Sequence, residues 1–516
     1  MRGDYPILSY NPDLGKRQIS ENGSNIRGGF PKAYNIIPKD NSYRPINKPI
    51  LYTDTSVDDD YIFIKGYSSA QGANKTIALT TDAIYRIDSA TPSEIEHDID
   101  GSKPYTTSDD DIWDIDIYGS TLFLTNYEYP PQVIYTFDTA TESSDISEAP
   151  DKVKSLQMFQ SSLFTFNEVT SSVSYPLRLR RSAQGDPVDF TLSSSTGAGY
   201  QDLPSYGEYG VAIRRLGDIL VAFCSNSIYF VRYIGPPFWY SYEKIAEKIG
   251  ALSLHSIAII NKYRIIFIAN DRSGLYSVTP NGVDKIESFV DRSHISTIYT
   301  NPARITNAIN TTNDSVLFTL PITAKEPNQI LALNYKEGKY SLMSSDYDTT
   351  YQSDLITCIG NILSPDVVID NVDNYFDTYD EIPNNLTYDS SFWKGGIDAV
   401  AITTTNSSNS DISYFDAGES MKTYIESSEI EFDNVVAMKE AFINFSNPQA
   451  TINVKIVIYS KNNPYDDYTS IEVLPNQWDR FKFLKTGKYF RFVIIMNMSY
   501  DAIESIVYNY ENKGLI

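Results

Sequence analysis

From residue 61 to about 350, short apolar runs alternate with polar turns in a pattern that repeats along the chain. Each unit has an apolar strand, a turn and a second apolar strand, as at 219–223, 225–226 and 227–231. One apolar residue marks each of six successive units: Ile77, Leu122, Leu163, Leu220, Ile265 and Val316. These markers are 45, 41, 57, 45 and 51 residues apart. Because four-stranded propeller blades take roughly 40–50 residues each, the spacing predicts a β-propeller.

The spacing accounts for six blades, and an apolar run at 365–369 is a candidate for a seventh, so the predicted count is six or seven. The apolar runs are typical of inner strands that are buried on both faces between neighbouring blades. A β-sandwich or a β-helix with a coincidental repeat is the alternative.

Three other regions have different patterns. Residues 1–60 carry frequent prolines, which disfavour helices and central strands, and predict an extended N-terminal arm over another surface, such as a neighbouring subunit, or else a flexible tail. Residues 351–420 are polar and weakly patterned, which indicates an excursion or docking subdomain outside a propeller at 61–350. Period-two alternation over 421–516 predicts an antiparallel, β-sandwich-like domain. The predicted fold class is therefore all-β.

Composition and charge exclude some classes of function. The 40 tyrosines, beside many turn-forming residues, suit strands joined by turns. A net charge of −24 argues against general nucleic-acid affinity, because binding to phosphates needs lysine and arginine. The longest apolar runs are too short for a membrane-spanning segment, and the N-terminus lacks a secretory signal, so we expect assembly inside a cell. Cys224 and Cys358, the only cysteines, are expected to be free thiols.

Candidate catalytic groups are sparse, and we predict that the chain is not an enzyme and has no cofactor or metal. The histidines, His97, His255 and His294, are scattered, and no nucleophile elbow or phosphate loop is present. Acidic clusters at 58–60 and 109–111, with Asp114 and Asp116, could ligate calcium, but the register of an EF-hand fails. Solvated turns are the better interpretation of these acids.

One aromatic cluster follows directly after a predicted strand. It comprises Pro236, Pro237, Phe238, Trp239 and Tyr240. Exposed, it would form an interaction surface; tucked between blades, it would be ordinary packing. Both interpretations are open from the sequence.

The order of segments from about 150 to 290 resembles the tail-hub or nozzle proteins of short-tailed bacteriophages, also called packaged-DNA stabilisation proteins. The resemblance lies in a Gly-Asp-Pro-Val-Asp-Phe run at 185–190, in a strand and hairpin at 216–230, and in the Lys-Ile-Gly-Ala run at 248–251 with the strands after it. A Gly-Lys-Tyr-Phe-Arg-Phe run at 487–492 is similar to the closing strands of that family.

The resemblance implies a homo-hexameric ring below portal-adaptor proteins, with tail fibres or spikes alongside. It also implies a location in the virion tail after assembly in the host cytoplasm. Viral DNA would be retained and then pass through the ring without specific binding. The acidic charge fits this role, since a wall of carboxylates repels phosphates and leaves no site that arrests sliding.

The expected function is therefore that of a structural virion protein, a tail nozzle ring for genome retention and DNA ejection. The alternative is a propeller glycosidase, which would need paired carboxylates in a pocket, or a polysaccharide-binding protein that acts on host surface glycans. A carbohydrate- or protein-binding propeller without a virion role is a third hypothesis.

Overall fold

The structure is a computed structural model of the chain. It describes these residues: 8–10, 32–39, 42–53, 55–68, 74–88, 91–97, 105, 112–286, 295, 298, 302–322, 327–344, 355–363, 398–406, 409–418, 420–427, 429–446, 453–476, 480–497 and 502–512.

Five short strands come from the N-terminal region. They are β1 (Leu8–Tyr10), β2 (Lys32–Tyr34), β3 (Ile36–Lys39), β4 (Ser42–Pro45) and β5 (Ile50–Leu51).

The following strands form consecutive antiparallel blades. Blade 1 has β6 (Phe63–Ser68), β7 (Asn74–Leu79), β8 (Ile84–Asp88) and β9 (Thr91–His97). Blade 2 has β10 (Asp114–Tyr118), β11 (Thr121–Thr125), β12 (Gln132–Ile134) and β13 (Glu142–Asp145). Blade 3 has β14 (Lys152–Phe159), β15 (Ser162–Thr170), β16 (Val173–Arg181) and β17 (Gly199–Asp202). Blade 4 has β18 (Gly210–Leu216), β19 (Ile219–Cys224), β20 (Ser227–Gly235) and β21 (Trp239–Glu247).

Three further blades follow. Blade 5 has β22 (Ile257–Asn261), β23 (Arg264–Ile268), β24 (Leu275–Thr279) and β25 (Gly282–Lys285). Blade 6 has β26 (Asn307–Asn310), β27 (Ser315–Leu320), β28 (Gln329–Asn334) and β29 (Lys339–Ser344), with short 3-10 helices at Pro302–Arg304 and Thr311–Asn313. Blade 7 has β30 (Leu355–Leu363), β31 (Asp398–Asn406) and β32 (Asn409–Tyr414), and β5 pairs with β32 as its fourth strand.

The C-terminal region is antiparallel. Its strands are β33 (Thr423–Glu426), β34 (Ile430–Ser446), β35 (Val454–Lys461), β36 (Thr469–Val473), β37 (Phe481–Met496) and β38 (Ala502–Asn512). β2 lies between β33 and β29 of blade 6, so blade 6 and the C-terminal strands form one continuous 14-stranded sheet.

The blades pack face to face in a closed ring. Each of the seven interfaces between neighbouring blades is filled by its own apolar cluster, as judged from the described residues. Ala78 of blade 1 and Cys358 of blade 7, for example, share one cluster and close the ring. The cluster between blades 5 and 6 continues into the C-terminal region through residues such as Phe492. This arrangement confirms the all-β, propeller-like fold.

Glycine permits a very close contact between the inner strands β6 and β30. A Cβ atom on Gly360 would collide with the carbonyl of Ile64, and one on Gly66 would collide with the backbone of Leu363. These two inner strands can therefore approach closely only because both positions lack a side chain.

Seven blades, rather than six, complete the ring, because the region 351–420 contributes β30, β31 and β32. This region was expected to lie outside the propeller. The repeat is hidden in the sequence because 364–397 separates β30 from β31 and because the fourth strand comes from the N-terminal region. The apolar run at 365–369 lies outside the described residues.

The described part of residues 1–60 forms short strands that lie over other surfaces of the same chain, and its contact with a neighbouring subunit stays a prediction. β1 and β4 pair with β38, β2 pairs with β29 and β33, and β5 completes blade 7. The prolines fit this arrangement because these are short strands, several of them at sheet edges, where a missing backbone N–H is tolerated.

Candidate functional site

The inner strands place a buried ion pair at the propeller axis. Asp114, the first residue of β10, accepts hydrogen bonds from Ser155 Oγ at 2.6 Å and from the amide of Leu156 at 3.0 Å. Its Oδ2 also accepts from Arg214 Nη1 of blade 4 at 3.0 Å. Asp114 Oδ2 thus has three internal partners, and the interpretation of Asp114 as a solvated turn residue is wrong because the residue is only 2% exposed.

His255 reaches across the axis from blade 5. Its Nε2 donates to the carbonyl of Trp113 in blade 2 at 2.7 Å, and its ring lies 4.6 Å from the ring of Phe63 in blade 1. Burial, reinforced by the Arg214 guanidinium, lowers the pKa of His255 to about 4. The imidazole is therefore neutral at physiological pH, and its ring packs between blades 5, 2 and 1.

These contacts close the axis of a single copy. A DNA duplex, whose major groove alone is about 12 Å wide, cannot pass where side chains of opposite blades touch. Any DNA conduit built from this chain would have to lie between copies.

A cavity of about 220 Å³ opens beside the axial ion pair, on the face where the inner strands begin. We call it the axial cavity. Its polar lining residues are Tyr127, Lys154, Tyr209 and Ser253. Its other walls are apolar and come from Ile112, Val211, Leu252, Leu254, Pro302 and Ala303. No described lining residue is a carboxylate, so the paired acids that a glycosidase requires are not among them.

The predicted aromatic cluster is divided between surface and core. Pro236, Pro237 and Phe238 form the exposed tip of the β20–β21 hairpin, and Phe238 is 77% exposed. Ile234, beside this tip, is 55% exposed. Trp239, in contrast, is buried. The name hairpin tip is used below for residues 234–238.

Trp239 and Tyr240 pack against blade 3. Trp239 Nε1 donates to the carbonyl of Ser194 at 3.0 Å, and its ring lies where a side chain on Gly197 would be. The Tyr240 ring lies 5.0 Å from the ring of Phe164, edge to face, in the cluster between blades 3 and 4. The packing interpretation is therefore right for Trp239 and Tyr240, whereas Pro236, Pro237 and Phe238 are exposed and their role as an interaction surface stays a prediction.

The acidic clusters remain unassigned as metal sites. Burial, followed by the carboxylates of Asp82, Asp58, Asp60 and Glu94, raises the pKa of Asp59. This shared repulsion defines an acidic patch where blades 7 and 1 meet. Within the part of the chain that the structure describes, no group of three or more His, Cys, Asp or Glu side chains could hold a metal ion.

The other candidate residues from the sequence either make contacts within the fold or lie outside the described residues. His97 contacts Gln132 at 2.6 Å and Asp145 at 3.2 Å within the outer strands of blades 1 and 2. Asp116 accepts from the amide of Met158 at 2.6 Å, much as Asp114 accepts from Leu156. The cluster at 109–111 and His294 lie outside the described residues.

Sequence reasoning did not find the axial network or the axial cavity. Their residues come from six blades, and the hydrogen-bonded partners Asp114 and Arg214 are 100 positions apart. The one signal available was a pair of acids, Asp114 and Asp116, at alternate positions of an apolar strand, where buried partners are expected.

Comparisons with known proteins give no assignment. No protein-family profile matches the chain, and no curated protein matches it in sequence. Among solved structures, the extracellular domain of the putative hybrid two-component system BT4673 from B. thetaiotaomicron is 10% identical, with a TM-score of 0.39 over 85% of this chain and 47% of that one. The chain thus spans about half the length of that structure.

Two further solved structures are similar at the same level. Raptor of Chaetomium thermophilum is 8% identical, with a TM-score of 0.38 over 69% of this chain and 29% of that one. The Pan2 WD40 domain of Neurospora crassa is 6% identical, with a TM-score of 0.37 over 70% of this chain and 91% of that one. These values are too low to carry any functional argument.

Among the described residues, no helix has the length and apolar character that crossing a bilayer requires.

Proposed function

We propose that this chain is a structural protein of a virion tail, a nozzle or hub subunit that forms a homo-hexameric ring in the host cytoplasm. In this proposal, the ring retains packaged DNA and conducts it at ejection, below portal-adaptor proteins and beside tail fibres or spikes. The observation that carries the proposal is the closed axis, where the buried Asp114 and Arg214 pair with each other and with internal hydrogen-bonding groups. Such a core suits a rigid scaffold rather than a reaction centre.

The positions of the resembling segments support the proposal. The run at 185–190 lies in the loop between β16 and β17, where Phe190 is buried against blades 2 and 3. The segments at 216–230 and 248–276 form the inner hairpins of blades 4 and 5. The resemblance therefore falls on the scaffold of three consecutive blades, and the run at 487–492 falls within β37.

Charge supports the conduit part of the proposal. The acidic patch of Asp58, Asp59, Asp60, Asp82 and Glu94 is in contact with solvent, since Asp58, Asp60 and Glu94 are exposed and Asp59 and Asp82 are half-buried. Because one copy has no open axis, DNA would run through the space that six copies enclose. Acidic surfaces lining that space would repel phosphates and favour sliding.

The hairpin tip is the best candidate for a contact between copies. Phe238 and Ile234 are large apolar side chains that are mostly exposed on one protruding turn. Exposed aromatic side chains of this kind commonly anchor protein interfaces.

The test is the mass of the native assembly. For the purified chain, alone and with a portal complex, light scattering and electron microscopy are expected to give six times 58.2 kDa and a six-fold ring. The double variant Ile234→Ser with Phe238→Ser should shift the mass toward the monomer.

Tyr465→Ser is the matched control, since Tyr465 is 99% exposed in the C-terminal region. It should leave the ring intact. Persistent monomers of the unmodified chain, even with the portal complex present, would count decisively against the proposed function. A ring that survives the double variant would refute only the role of the hairpin tip.

A further inference from the structure

We propose that a groove beside the outer strands of blade 3 is a binding site for a short, uncharged glycan. The groove lies between the first half of β16 and the segment that joins β17 to β18. We call it the blade 3 groove. This inference does not depend on the virion role, because it rests only on the surface of a single copy.

The size and accessibility of the blade 3 groove suit a disaccharide. It measures about 580 Å³, which lies within the roughly 300–1,000 Å³ of pockets that hold drug-sized ligands. A ligand can enter directly from solvent, because half of the lining residues are exposed: Ser174, Pro176, Asp202, Pro204, Tyr206 and Gly207.

Apolar side chains form one part of the blade 3 groove. Leu203 is buried and Leu177 is half-buried, and two exposed prolines, Pro176 and Pro204, lie beside them in the lining. A pyranose ring also has an apolar face, made of its C–H groups. Contact between these two surfaces removes both from water and is therefore favourable.

Tyr206 is the aromatic side chain that is most available to a sugar ring. Its relative exposure is 106%, so its ring is in full contact with solvent. Tyrosine combines an apolar ring with a hydroxyl, and side chains of this type are common where a ligand is apolar on one side and polar on the other. We infer that the Tyr206 ring stacks on the C–H face of the sugar.

Asp202 offers a well-positioned acceptor for sugar hydroxyls. Its carboxylate accepts from Arg178 Nε at 2.7 Å and from Nη2 at 2.9 Å, yet the side chain is 55% exposed. Each carboxylate oxygen has a further lone pair for a ligand hydroxyl. Arg178 is itself fixed, because its guanidinium packs on the rings of Tyr175, at 3.6 Å, and Tyr200, at 4.0 Å. An acceptor held in this way loses little freedom when a ligand binds.

Charge favours a neutral glycan over an acidic one. The charged lining residues are two acids, Asp202 and Glu208, and one arginine, Arg178, which gives a net charge of −1. Arg178 is already paired with Asp202, and the buried Glu168 lies 3.8 Å from its Nη1. An anionic sugar would meet repulsion from the two carboxylates, whereas neutral hydroxyls can donate charge-assisted hydrogen bonds to them.

Saturation-transfer NMR and titration calorimetry on the full chain test the site. The probes are three neutral disaccharides, cellobiose, maltose and diacetylchitobiose, and one acidic disaccharide, digalacturonate. At least one neutral probe should bind saturably and more tightly than digalacturonate.

Tyr206→Ala should weaken binding of the best neutral probe about 3- to 10-fold, since stacking on one aromatic ring is lost. Because the side chain is fully exposed, the variant should melt like the unmodified protein. Tyr465→Ala is the matched control: Tyr465 is 99% exposed but belongs to the C-terminal region, so its loss should leave the affinity unchanged.

Asp202→Asn gives a second readout that a purely structural role would not produce. It should weaken the neutral probe about 3- to 10-fold, because a charge-assisted hydrogen bond becomes a neutral one. It should also narrow the preference for the neutral probe over digalacturonate, since one of the two repelling charges is removed.

Several results would overturn the assignment. They are no saturable binding of any neutral probe, tighter binding of digalacturonate, an affinity that Tyr206→Ala leaves unchanged, or an equal loss from Tyr465→Ala. Tighter binding of a proline-rich peptide that contains arginine would also overturn it, since the blade 3 groove would then be a site for a protein partner.

Discussion

Blade 4 and blade 7 have the same number of strands but are built in different ways. Blade 4 consists of four consecutive strands within residues 210–247, joined by turns such as the one at Gly217, whose φ is +61°. Blade 7 takes three strands from 355–414 and its fourth from Ile50–Leu51, near the other end of the chain. Local turns thus suffice for a blade, whereas closure of the ring depends on contacts between distant segments.

The contacts at the propeller axis and those in the C-terminal region differ in the same way, in how far apart their partners lie in the sequence. Arg214 and Asp114 are 100 positions apart, and His255 and the Trp113 carbonyl are 142 positions apart. In the C-terminal region, Lys455 of β35 and Glu472 of β36 pair at 2.7 Å across neighbouring strands and remain largely in water. Breaking the long-range, buried contacts at the axis should therefore lower the free energy of unfolding far more than breaking the local, exposed pair.

Removal of residues 1–53 should have the largest effect. It deletes β2, which joins blade 6 to the C-terminal strands, and β5, which completes blade 7. We expect the truncated chain to lose cooperative unfolding in thermal melts followed by circular dichroism. A peptide of residues 32–53, added in trans, should restore part of it.

The matching local change is the replacement of residues 236–238 of the hairpin tip by Asn-Gly. Because this turn is exposed, stability should change by only about 1 kcal/mol or less. If the truncated chain melted as cooperatively as the full chain, the distinction between local and long-range assembly would be wrong.

Arg214→Leu should be the next most damaging change. It leaves the buried Asp114 carboxylate without its cation, which is expected to cost about 3–5 kcal/mol in urea unfolding. Lys455→Met, at the exposed pair of the C-terminal region, should cost about 0–1 kcal/mol. Equal losses from the two variants would mean that the axial pair does not hold the blades together.

The axial histidine should make stability depend on pH. His255 is neutral when folded, with a pKa lowered to about 4, whereas in the unfolded chain it titrates near 6.5. The unfolded state therefore binds more protons between these values, and stability should fall as pH drops from about 6.5 to about 4, by about 3 kcal/mol in total.

His255→Asn should remove this part of the pH dependence while other groups keep theirs. Unfolding free energies measured from pH 7 to pH 4 give the comparison. An unchanged slope in the variant would show that His255 is not the group responsible.

The smallest expected effect is the difference between the labelling rates of the two thiols. Burial raises the pKa of Cys224 in blade 4 and of Cys358 in blade 7 to about 12 in each case. Their intrinsic reactivities are thus alike, and labelling by a thiol reagent should report opening of each blade. Cys358 should react several-fold faster, because its blade is completed by a two-residue strand.

Single-thiol variants Cys224→Ala and Cys358→Ala separate the two labelling rates. Faster labelling of the Cys224 thiol would mean that the locally built blade is the less stable one.

The sequence supports prediction only where structure is local. The markers Ile77 through Val316 all lie in second strands of blades 1–6, because a buried strand next to a turn has a recognisable apolar pattern. Blade 7 escaped detection because 364–397 interrupts it and β5 is far away in sequence. No period or turn signal links such segments.

The candidate sites follow the same rule. The sequence located the aromatic cluster but could not tell that Phe238 is exposed while Trp239 is buried, since this depends on the loop of blade 3 that covers Trp239. The axial cavity could not be foreseen, because Lys154, Tyr209 and Ser253 are distant in sequence and meet only when the ring closes.

Amide hydrogen exchange at Tyr52 tests the closure of the ring most directly. The Tyr52 amide donates to the carbonyl of Ile412 at 2.8 Å, immediately after β5. If the N-terminal strand completes blade 7, this amide should exchange many times more slowly than in an unfolded peptide, and removal of residues 355–414 should abolish the protection. Exchange at the unfolded rate in the intact chain would contradict the closure.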